Sequence, residues 1–270
     1  MRKICIINQK GGVAKTTTAV NLAAGLSRQG KKVLLVDMDA QGGIRTSFNC
    51  DDQPDMHDIL VGGINVLEAI RPLGKNLDVI TSKETLTRCE LIITNEKDRE
   101  TLLRRKFEQI KDYDYVILDC PPSLGILNQN AFLYADEALV PVSTDYLGID
   151  GLSKIVKAIT NVSTVFGHNI KITKIVPTLF DKRNKICRQS LDKIRSDYYE
   201  IVSEPIRVDT RVKEAPANGK SIFTYAKSSR AAHDYGKLVQ SVINDEPQIE
   251  KLADAQDPLE VVQVIPAVAK

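Results

Sequence analysis

A glycine-containing loop between a predicted strand and a predicted helix decides the fold, and it reads Asn8-Gln9-Lys10-Gly11-Gly12-Val13-Ala14-Lys15-Thr16-Thr17-Thr18. The apolar run at residues 3–7 predicts a buried strand before it, and residues 19–26 have helical spacing after it. Backbone N–H groups of such a loop and of the first helical turn converge on one point and favour an anion there. Lys15 can reach terminal phosphates, and the Thr16 hydroxyl can bind Mg²⁺. The stretch therefore predicts a phosphate-binding loop.

The loop departs from the strict phosphate-loop pattern, G-x-x-x-x-G-K-[ST], at two positions. Gln9 and Ala14 stand where that pattern has glycine. A methyl group at Ala14 is compatible with the curled backbone only if its φ angle is negative, and a positive φ would mean strain. For the loop taken alone, a glycine turn with incidental lysines is the alternative interpretation.

Two further predicted strands end in aspartate. One apolar run ends at Asp37, with Asp39 two residues later, and a second run, residues 115–118, ends at Asp119. The C-terminal ends of parallel strands are where α/β folds place their chemistry. Asp119 can hold the hydration shell of Mg²⁺ and so complement Thr16. For Asp37 or Asp39 taken singly, a turn residue or helix cap is the alternative.

Predicted strands and helices alternate along most of the chain. This alternation predicts an α/β fold with a single doubly wound, mostly parallel sheet and helices on both faces. We expect one domain over residues 1–245 and an acidic, then Val/Pro-containing, flexible tail over residues 246–270. The predicted strands are residues 3–7, 32–37, 77–81, 115–119, 137–142, 170–178 and 206–209, and the predicted helices are residues 19–26, 59–61, 66–70, most of 84–110, 147–166, 185–199 and 230–243.

Composition is typical of a soluble globular protein located in the cytoplasm. The 270 residues are 43% hydrophobic and 27% charged, and no apolar run approaches the ~18 residues of a membrane span. Met1 leads almost directly into the first strand, so we expect no signal peptide. The five cysteines form no C-x-x-C pair, which favours reduced thiols over disulfides or zinc. An iron–sulfur cluster bridging a dimer would have to use residues such as Cys89 and Cys120, and Cys120 is expected to be buried.

These motifs together resemble the ParA/Soj family of deviant Walker A partitioning ATPases, over nearly the full length of the chain. The family usually reads KGGVGKTT in the loop, where this chain has Ala14. It reads D-x-D-P-Q-G after the second strand, where this chain has Ala40 instead of proline. Its D-x-P-P-S-L-G matches residues 119–125, and its R-x-x-E-A-P-x-x-G-K-P-I matches residues 211–222 except at Ser221.

The resemblance implies Mg²⁺-dependent ATP hydrolysis with Lys10, Lys15 and Asp39 as catalytic residues. Asp39 would position the attacking water. Lys10 has no work in the loop of its own subunit, and the resemblance implies that it crosses to the ATP of a second subunit, in a homodimer that sandwiches two nucleotides. The residues expected to bind ATP are Lys10, Gly11, Gly12, Val13, Ala14, Lys15, Thr16, Thr17 and Asp119, with Thr178, Arg207 and Asp209 near the base. The residues expected to hold Mg²⁺ are Thr16, Asp39 and Asp119.

Charge is unevenly distributed along the chain. The formal net charge is +2, yet residues 182–230 contain twelve basic and six acidic residues. Such a segment indicates a surface that faces a polyanion, although a solvated helix face is the alternative. The resemblance implies non-specific binding of double-stranded DNA through its phosphates, hence association with the nucleoid, and a ParB-like centromere-binding partner that stimulates slow hydrolysis. The DNA-binding candidates are Lys182, Arg183, Arg188, Arg195, Arg211, Lys213 and Arg230.

Other functions stay open at this point. A MinD-like ATPase would bind a membrane through a basic amphipathic C-terminal helix, but residues 246–270 have the wrong charge, so we expect no membrane binding. A metabolic enzyme of the dethiobiotin synthetase type would need neither Lys10 nor a basic face. A plasmid, a chromosome or a protein assembly are all possible cargoes. Because the loop begins at residue 10, we expect no N-terminal DNA-binding domain, which is typical of the small, Soj-like group.

Overall fold

The computed structural model describes residues 1–50 and 54–246, and the predicted tail lies outside them except for Glu246. Over these residues the chain forms one seven-stranded sheet. The strands are β1 (Arg2–Ile6), β2 (Val33–Asp37), β3 (Arg71–Gly74), β4 (Leu77–Ile80), β5 (Tyr115–Asp119), β6 (Glu137–Ser143) and β7 (Lys171–Thr178). Their order in the sheet is β3-β4-β2-β5-β1-β6-β7, and every neighbouring pair is parallel except β3 and β4. The predicted fold class is confirmed.

Helices connect the parallel strands, as crossovers of this kind require. They are α1 (Lys15–Arg28), α2 (Gly43–Phe48), α3 (Met56–Leu60), α4 (Leu86–Ile93), α5 (Leu102–Lys106), α6 (Ile126–Tyr134), α7 (Tyr146–Phe166), α8 (Lys185–Tyr198), α9 (Arg211–Ala217), α10 (Ile222–Tyr225) and α11 (Arg230–Asn244). Single 3₁₀ turns occur at Val66–Ala69, Arg99–Thr101 and Tyr199–Ile201.

The core has two halves, one on each face of the sheet. Alternate residues of a strand point to opposite faces, so Ile4 and Ile6 of β1 pack with α1 and α11, whereas Cys5 packs with α6 and α7. Strands covered on both faces are continuously apolar rather than alternating, which explains why β2 and β5 are buried along their whole length. This double layer fixes the ends of the central strands, where the candidate site lies.

Several details differ from the predictions or go beyond them, including the unpredicted helices α2, α6, α9 and α10. Residues 206–209 are not a strand: their only pairing in the described chain is an isolated bridge between Phe180 and Arg207. The antiparallel edge strand β3 was not predicted, because Pro72 and Gly74 give it no strand-like pattern. The region 84–110 divides into two short helices and a 3₁₀ turn. Among the described residues, no helix combines the length and apolar content needed to cross a membrane.

Candidate functional site

The glycine loop joins the end of β1 to the start of α1. Gly11 and Gly12 are exposed, and no atom lies within 4 Å of the place where a side chain at either position would begin. Gly12 has a φ of 73°, which glycine adopts without strain. No side chain caps the first turn of α1. The N–H groups of that turn are therefore available to an anion, as the sequence predicts.

Ala14, at the start of α1, adopts the left-handed conformation, with φ 65° and ψ 36°. The sequence allows this position to be free of strain only with a negative φ, so the loop is strained here. An L-residue in this region costs about 1–2 kcal/mol relative to the right-handed conformation. The strain persists because the residues on both sides of Ala14 are held: Val13 is fully buried and the helix begins at Lys15.

The side chains of Asn8 and Thr178 hold the loop in place through hydrogen bonds to its backbone. The amide of Asn8 donates to the carbonyl of Pro141 at 2.8 Å, and its oxygen accepts from the backbone N–H of Lys10 at 3.0 Å. The Thr178 hydroxyl donates to the carbonyl of Val13 at 3.0 Å. Thr178 was expected near the base of ATP, but its hydroxyl is buried and braces the loop. The role of Asn8 was missed in the sequence, although a polar residue directly after a buried strand was the available signal.

Three strand ends bring the predicted carboxylates to the loop. In the sheet, Asp119 of β5 is in register with Ile6 of β1 on one side and with Asp37 of β2 on the other. The two motifs are about eighty residues apart in the sequence, and the parallel sheet places their ends side by side. Asp39 follows two residues after Asp37 in the same connection.

Lys15 is a buried cation directed back at its own loop. Lys15 is 8% exposed, and its Nζ donates to the carbonyl of Lys10 at 3.2 Å. Burial lowers the pKa of Lys15, while the negative charges of Asp119 and Asp39 act in the opposite direction. A buried ammonium whose one hydrogen-bond partner in residues 1–50 and 54–246 is a carbonyl can turn to a stronger acceptor, such as a phosphate oxygen.

Asp119 is a buried carboxylate next to Thr16 and Lys15. Neither of its oxygens has a partner of hydrogen-bond geometry among the described residues. Burial, together with the charge of Asp37, raises the pKa of Asp119 well above its usual range, and Thr16 and Lys15 oppose that shift. Gly43 packs so closely on Thr16 that a Cβ there would lie 2.7 Å from its methyl group. A carboxylate left unpartnered beside a hydroxyl has the donor atoms that Mg²⁺ prefers.

The two aspartates after β2 have different surroundings. Asp37 is fully buried, and its oxygens accept from the backbone N–H groups of Asp39 at 3.1 Å and of Ile44 at 3.0 Å. Burial raises the pKa of Asp37 to about 7. Asp39 is half-buried, and within the described part of the chain its carboxylate accepts one hydrogen bond, from the N–H of Gln41 at 3.0 Å. Asp37 therefore holds the connection in shape, whereas Asp39 keeps acceptor capacity toward the site.

Lys10 has a partner within its own subunit, so the expectation that it has no work there is wrong. Its Nζ donates to both oxygens of Asp145, at 2.7 and 2.8 Å, and to the Ser143 hydroxyl at 2.9 Å. The side chains of Lys10 and Asp145 are 27% and 45% exposed. Although partial burial acts the other way, the hydrogen bond from Lys10 contributes to a lowered pKa of Asp145.

The comparisons with known proteins agree with this geometry. A family model described as an AAA domain matches residues 1–174. The sporulation initiation inhibitor protein Soj of Bacillus subtilis is 37% identical over 245 residues, which cover 88% of this chain and 97% of that protein. The chromosome partitioning protein ParA of Myxococcus xanthus is 36% identical over 87% of this chain and 85% of its own length.

The chain belongs to the Soj/ParA family. The fold agrees as well: a structure titled cobyrinic acid a,c-diamide synthase from Mycobacterium smegmatis, with bound ATP analogue and magnesium, superposes with a TM-score of 0.78. It is 28% identical, and the match covers 92% of this chain and 96% of that chain. The protein is accordingly a P-loop ATPase that uses ATP and Mg²⁺.

The residues present fit ATP and Mg²⁺. Thr16 and Asp119 would hold the metal, with Asp39 close by, and Lys15 and the loop N–H groups would hold the phosphates. Bound Mg²⁺ neutralises charge on the phosphate oxygens. The unpartnered carboxylate of Asp119 is the observation on which this fit rests, because a buried charge of that kind is costly until a cation reaches it.

Two of the predicted base-binding residues, Arg207 and Asp209, each form an ion pair with another residue of the chain. Arg207 forms a two-bonded ion pair with Asp234 at 2.6 and 2.9 Å, and Asp209 is paired with Arg211 at 2.8 and 2.9 Å. Arg207 also lines an open hollow of about 470 Å³ at the start of α11, beside Lys227, Ser228, Ser229, Arg230, Ala232 and His233. Their contact with a base stays a prediction.

We call the seven predicted DNA-binding residues within residues 182–230 the basic face; six of them are exposed and Arg211 is half-buried. Three of them are held in ion pairs, Arg183 with Asp181, Arg195 with Glu204 and Arg211 with Asp209. Arg188 donates to the carbonyl of Lys182 at 2.7 Å. In the described part of the chain, the ammonium or guanidinium groups of Lys182, Lys213 and Arg230 form no ion pair, and all three residues are exposed.

Proposed function

We propose that this ATPase segregates DNA: it forms an ATP sandwich dimer, binds DNA non-specifically on the nucleoid and hydrolyses ATP slowly until a ParB-like centromere-binding partner stimulates it. The observation that carries the proposal is the second lysine of the loop, Lys10. It belongs to the phosphate loop, and its ammonium is bonded to Asp145, between β6 and α7. A lysine held there by a partly exposed ion pair can exchange that partner when a second subunit presents its nucleotide.

The energy of the Lys10–Asp145 pair supports this use. An ion pair this exposed contributes only about 0–1 kcal/mol, because water screens both charges. For Lys10, changing its partner from Asp145 to a triphosphate, which carries more negative charge, is therefore favourable. Lys10 would then stabilise charge on the partner's phosphates in the manner of an arginine finger, and hydrolysis would remove the reason for the exchange.

Exposed apolar side chains next to the loop support self-association through the same face. Tyr146 and Leu147, which follow Asp145, are 80% and 64% exposed, and Leu179 is 42% exposed. The carbonyl of Leu179 accepts from the Thr144 hydroxyl, so these side chains belong to adjoining loops. Apolar side chains grouped in this way are typical of a surface that becomes covered by a partner.

The basic face supports DNA binding without base recognition. Its cations are spread over the segment before α8, α8 itself, α9 and the start of α11, and few aromatic residues are interleaved with them for stacking on single strands. Contacts of this type go to phosphates, so affinity should be insensitive to sequence and should fall steeply with salt. In a dimer two such faces act together, which links DNA binding to ATP through the effective concentration of the second face.

A cargo-positioning or MinD-like ATPase is the second candidate, since the loop and Lys10 serve either function. What separates them is the surface that the ATP-bound dimer recognises. The basic face favours DNA, and the acidic character of residues 247–270, which lie outside the described residues, disfavours an anionic membrane.

The test is co-sedimentation of the protein with duplex DNA or with anionic liposomes, each with ATP and Mg²⁺, with ADP, and without nucleotide. We expect retention by DNA only with ATP, with equal retention on unrelated sequences. The ATPase rate should be low and should rise with a cognate centromere-binding protein. Capture by liposomes without capture by DNA would contradict the proposal and favour the MinD-like alternative.

A further inference from the structure

A second hollow lies at the opposite end of the sheet from the phosphate loop. It has a volume of about 620 Å³, within the ~300–1,000 Å³ of small-molecule sites. It is lined by the start of β1, by α5 with the turn after it, and by the end of α6. Lys3 lines it near the start of β1, whereas the phosphate loop follows the end of the same strand at Ile6. The two sites are therefore separate.

The floor of this hollow is aromatic and carries one unused polar group. Phe107 and Tyr134 meet edge to face with ring centroids 5.4 Å apart. Tyr134 is 4% exposed, and its hydroxyl is buried with no hydrogen-bond partner among the described residues. Burial raises the pKa of Tyr134, so the phenol stays protonated and offers a hydrogen. Buried hydroxyl groups are normally paired, so an unpaired one beside a cavity indicates a missing acceptor.

The rim of this hollow is cationic. Its lining includes Lys3, Arg104, Arg105 and Lys111 and a single acidic residue, Glu108. Lys3 also lies 3.5 Å from Asp136 and over the ring of Tyr134, and Arg105 donates to the carbonyl of Asp98.

Two of the rim cations have nothing to neutralise them. Arg104 and Lys111 form no ion pair in the described part of the chain, and both are exposed. Positive charge around an apolar floor favours a ligand that is negative at one end and apolar at the other.

We propose that this hollow binds a small amphipathic anion, with an apolar or aromatic body and a carboxylate, phosphate or sulfonate group. The body packs on Phe107 and Tyr134. The anionic group meets Arg104 and Lys111 at the rim, and the Tyr134 hydroxyl supplies a further hydrogen bond. The site is independent of ATP, because no residue of the phosphate loop lines it.

The probe for the test is 8-anilinonaphthalene-1-sulfonate, an aromatic sulfonate whose fluorescence rises in apolar surroundings. Titration of the full chain with ADP and Mg²⁺ in excess keeps the probe out of the nucleotide site. We expect one probe per chain, and about tenfold weaker binding for Tyr134→Phe and for Arg104→Gln with Lys111→Gln, because a hydrogen bond to a charged group is lost in each. Arg88→Gln with Lys97→Gln, two exposed cations of the α4 region that form no ion pair among the described residues, is the matched control and should not change the affinity.

Two further measurements make each outcome decisive. N-phenyl-1-naphthylamine, which lacks the sulfonate, should bind at least about tenfold more weakly, and equal binding would overturn the proposal. The melting temperature of Tyr134→Phe without probe should be unchanged or higher, since the hydroxyl it removes has no partner. A lower melting temperature would show that the hydroxyl is already paired and would also overturn the proposal.

The last experiment tests whether residues 247–270 of the same chain occupy the hollow. Residues 247–270 contain Glu250, Asp254, Asp257 and Glu260 beside apolar side chains. Changing these four to Gln or Asn in the full chain should leave probe affinity unchanged. A severalfold rise would mean that this segment competes for the hollow, and would overturn its assignment to a free small molecule.

Discussion

The phosphate loop and the basic face differ in how their charged side chains are buried and paired. At the loop, Asp119 and Lys15 are buried with their charges poorly matched: among the described residues, Asp119 has no partner of hydrogen-bond geometry and Lys15 has one carbonyl partner. On the basic face six of the seven cations are exposed, and three of the seven already have ion-pair partners. A buried charge without a partner costs free energy, so we expect a ligand to supply the missing partner. An exposed charge costs little, and each such group contributes little to the free energy of binding.

This contrast predicts large effects of single substitutions at the loop and small, graded effects on the basic face. Replacing Lys15 by Ala should give the largest loss. Its ammonium is expected to make charge-assisted bonds to phosphate in a buried site, and losing two of these should weaken ATP binding about a hundredfold or more. Calorimetric titration with a slowly hydrolysed ATP analogue and Mg²⁺ measures this. Lys185→Ala, an exposed lysine at the start of α8, is the control; loss of less than threefold at Lys15 would contradict the account.

Asp39→Ala should affect turnover and spare binding. Asp39 is half-buried with acceptor capacity left over, which suits a group that orients water, so single-turnover hydrolysis should slow about a hundredfold or more. Nucleotide affinity should stay within a few-fold of the unchanged protein, and the ATP-bound dimer should accumulate on DNA. Asp192→Ala on α8 serves as the control. Rapid turnover by Asp39→Ala would refute the role proposed for this carboxylate.

On the basic face, unpaired and paired cations should differ. Lys213→Gln or Arg230→Gln should each weaken ATP-dependent DNA binding about three- to tenfold and reduce the slope of log affinity against log salt by about 1. Arg183→Gln should change affinity less than twofold, because Asp181 already neutralises that guanidinium. Fluorescence anisotropy with duplex DNA over a range of salt concentrations measures both quantities. Equal losses at Arg183 and Arg230 would remove the distinction between paired and unpaired groups.

The smallest predicted effect is at Ala14. Glycine adopts a φ of 65° without strain, so Ala14→Gly should raise the free energy of unfolding by about 1 kcal/mol and tighten nucleotide binding up to about fivefold. Ala24→Gly, within α1, should instead lower stability by about 1 kcal/mol or more, since glycine is unfavourable in a helix. Chemical denaturation and nucleotide titration check both variants. If Ala14→Gly destabilises the protein as Ala24→Gly does, the strain assigned to the loop is absent.

Most of the loop edge could be predicted from the sequence because its signals are local. A buried strand, a glycine turn and a helix follow one another within residues 3–26, and Asp37 and Asp119 each end an apolar run. The parallel sheet then brings these ends together without further information. The local sequence pattern was enough to predict those parts of the site whose residues are also close together in the sequence.

Contacts between distant residues could not be predicted. Lys10 and Asp145 are 135 positions apart, and nothing in either segment points to the other. Thr178 ends a strand as expected, but only the packing of β7 beside the loop turns its hydroxyl to Val13. The prediction of a strand at 206–209 was wrong because a short apolar stretch does not show whether a partner strand is there to pair with it. The φ angle of Ala14 is set by its surroundings rather than by its own preference.

The most direct test of the central claim concerns Lys10. In an Asp39→Ala background, where hydrolysis is blocked, sedimentation velocity with ATP and Mg²⁺ compares Lys10 with Lys10→Ala at equal nucleotide occupancy. The account predicts a dimer for Asp39→Ala and a monomer that still binds ATP for Asp39→Ala with Lys10→Ala. An ATP-dependent dimer that forms equally well without Lys10 would contradict the claim that this lysine leaves Asp145 to complete the site of a second subunit.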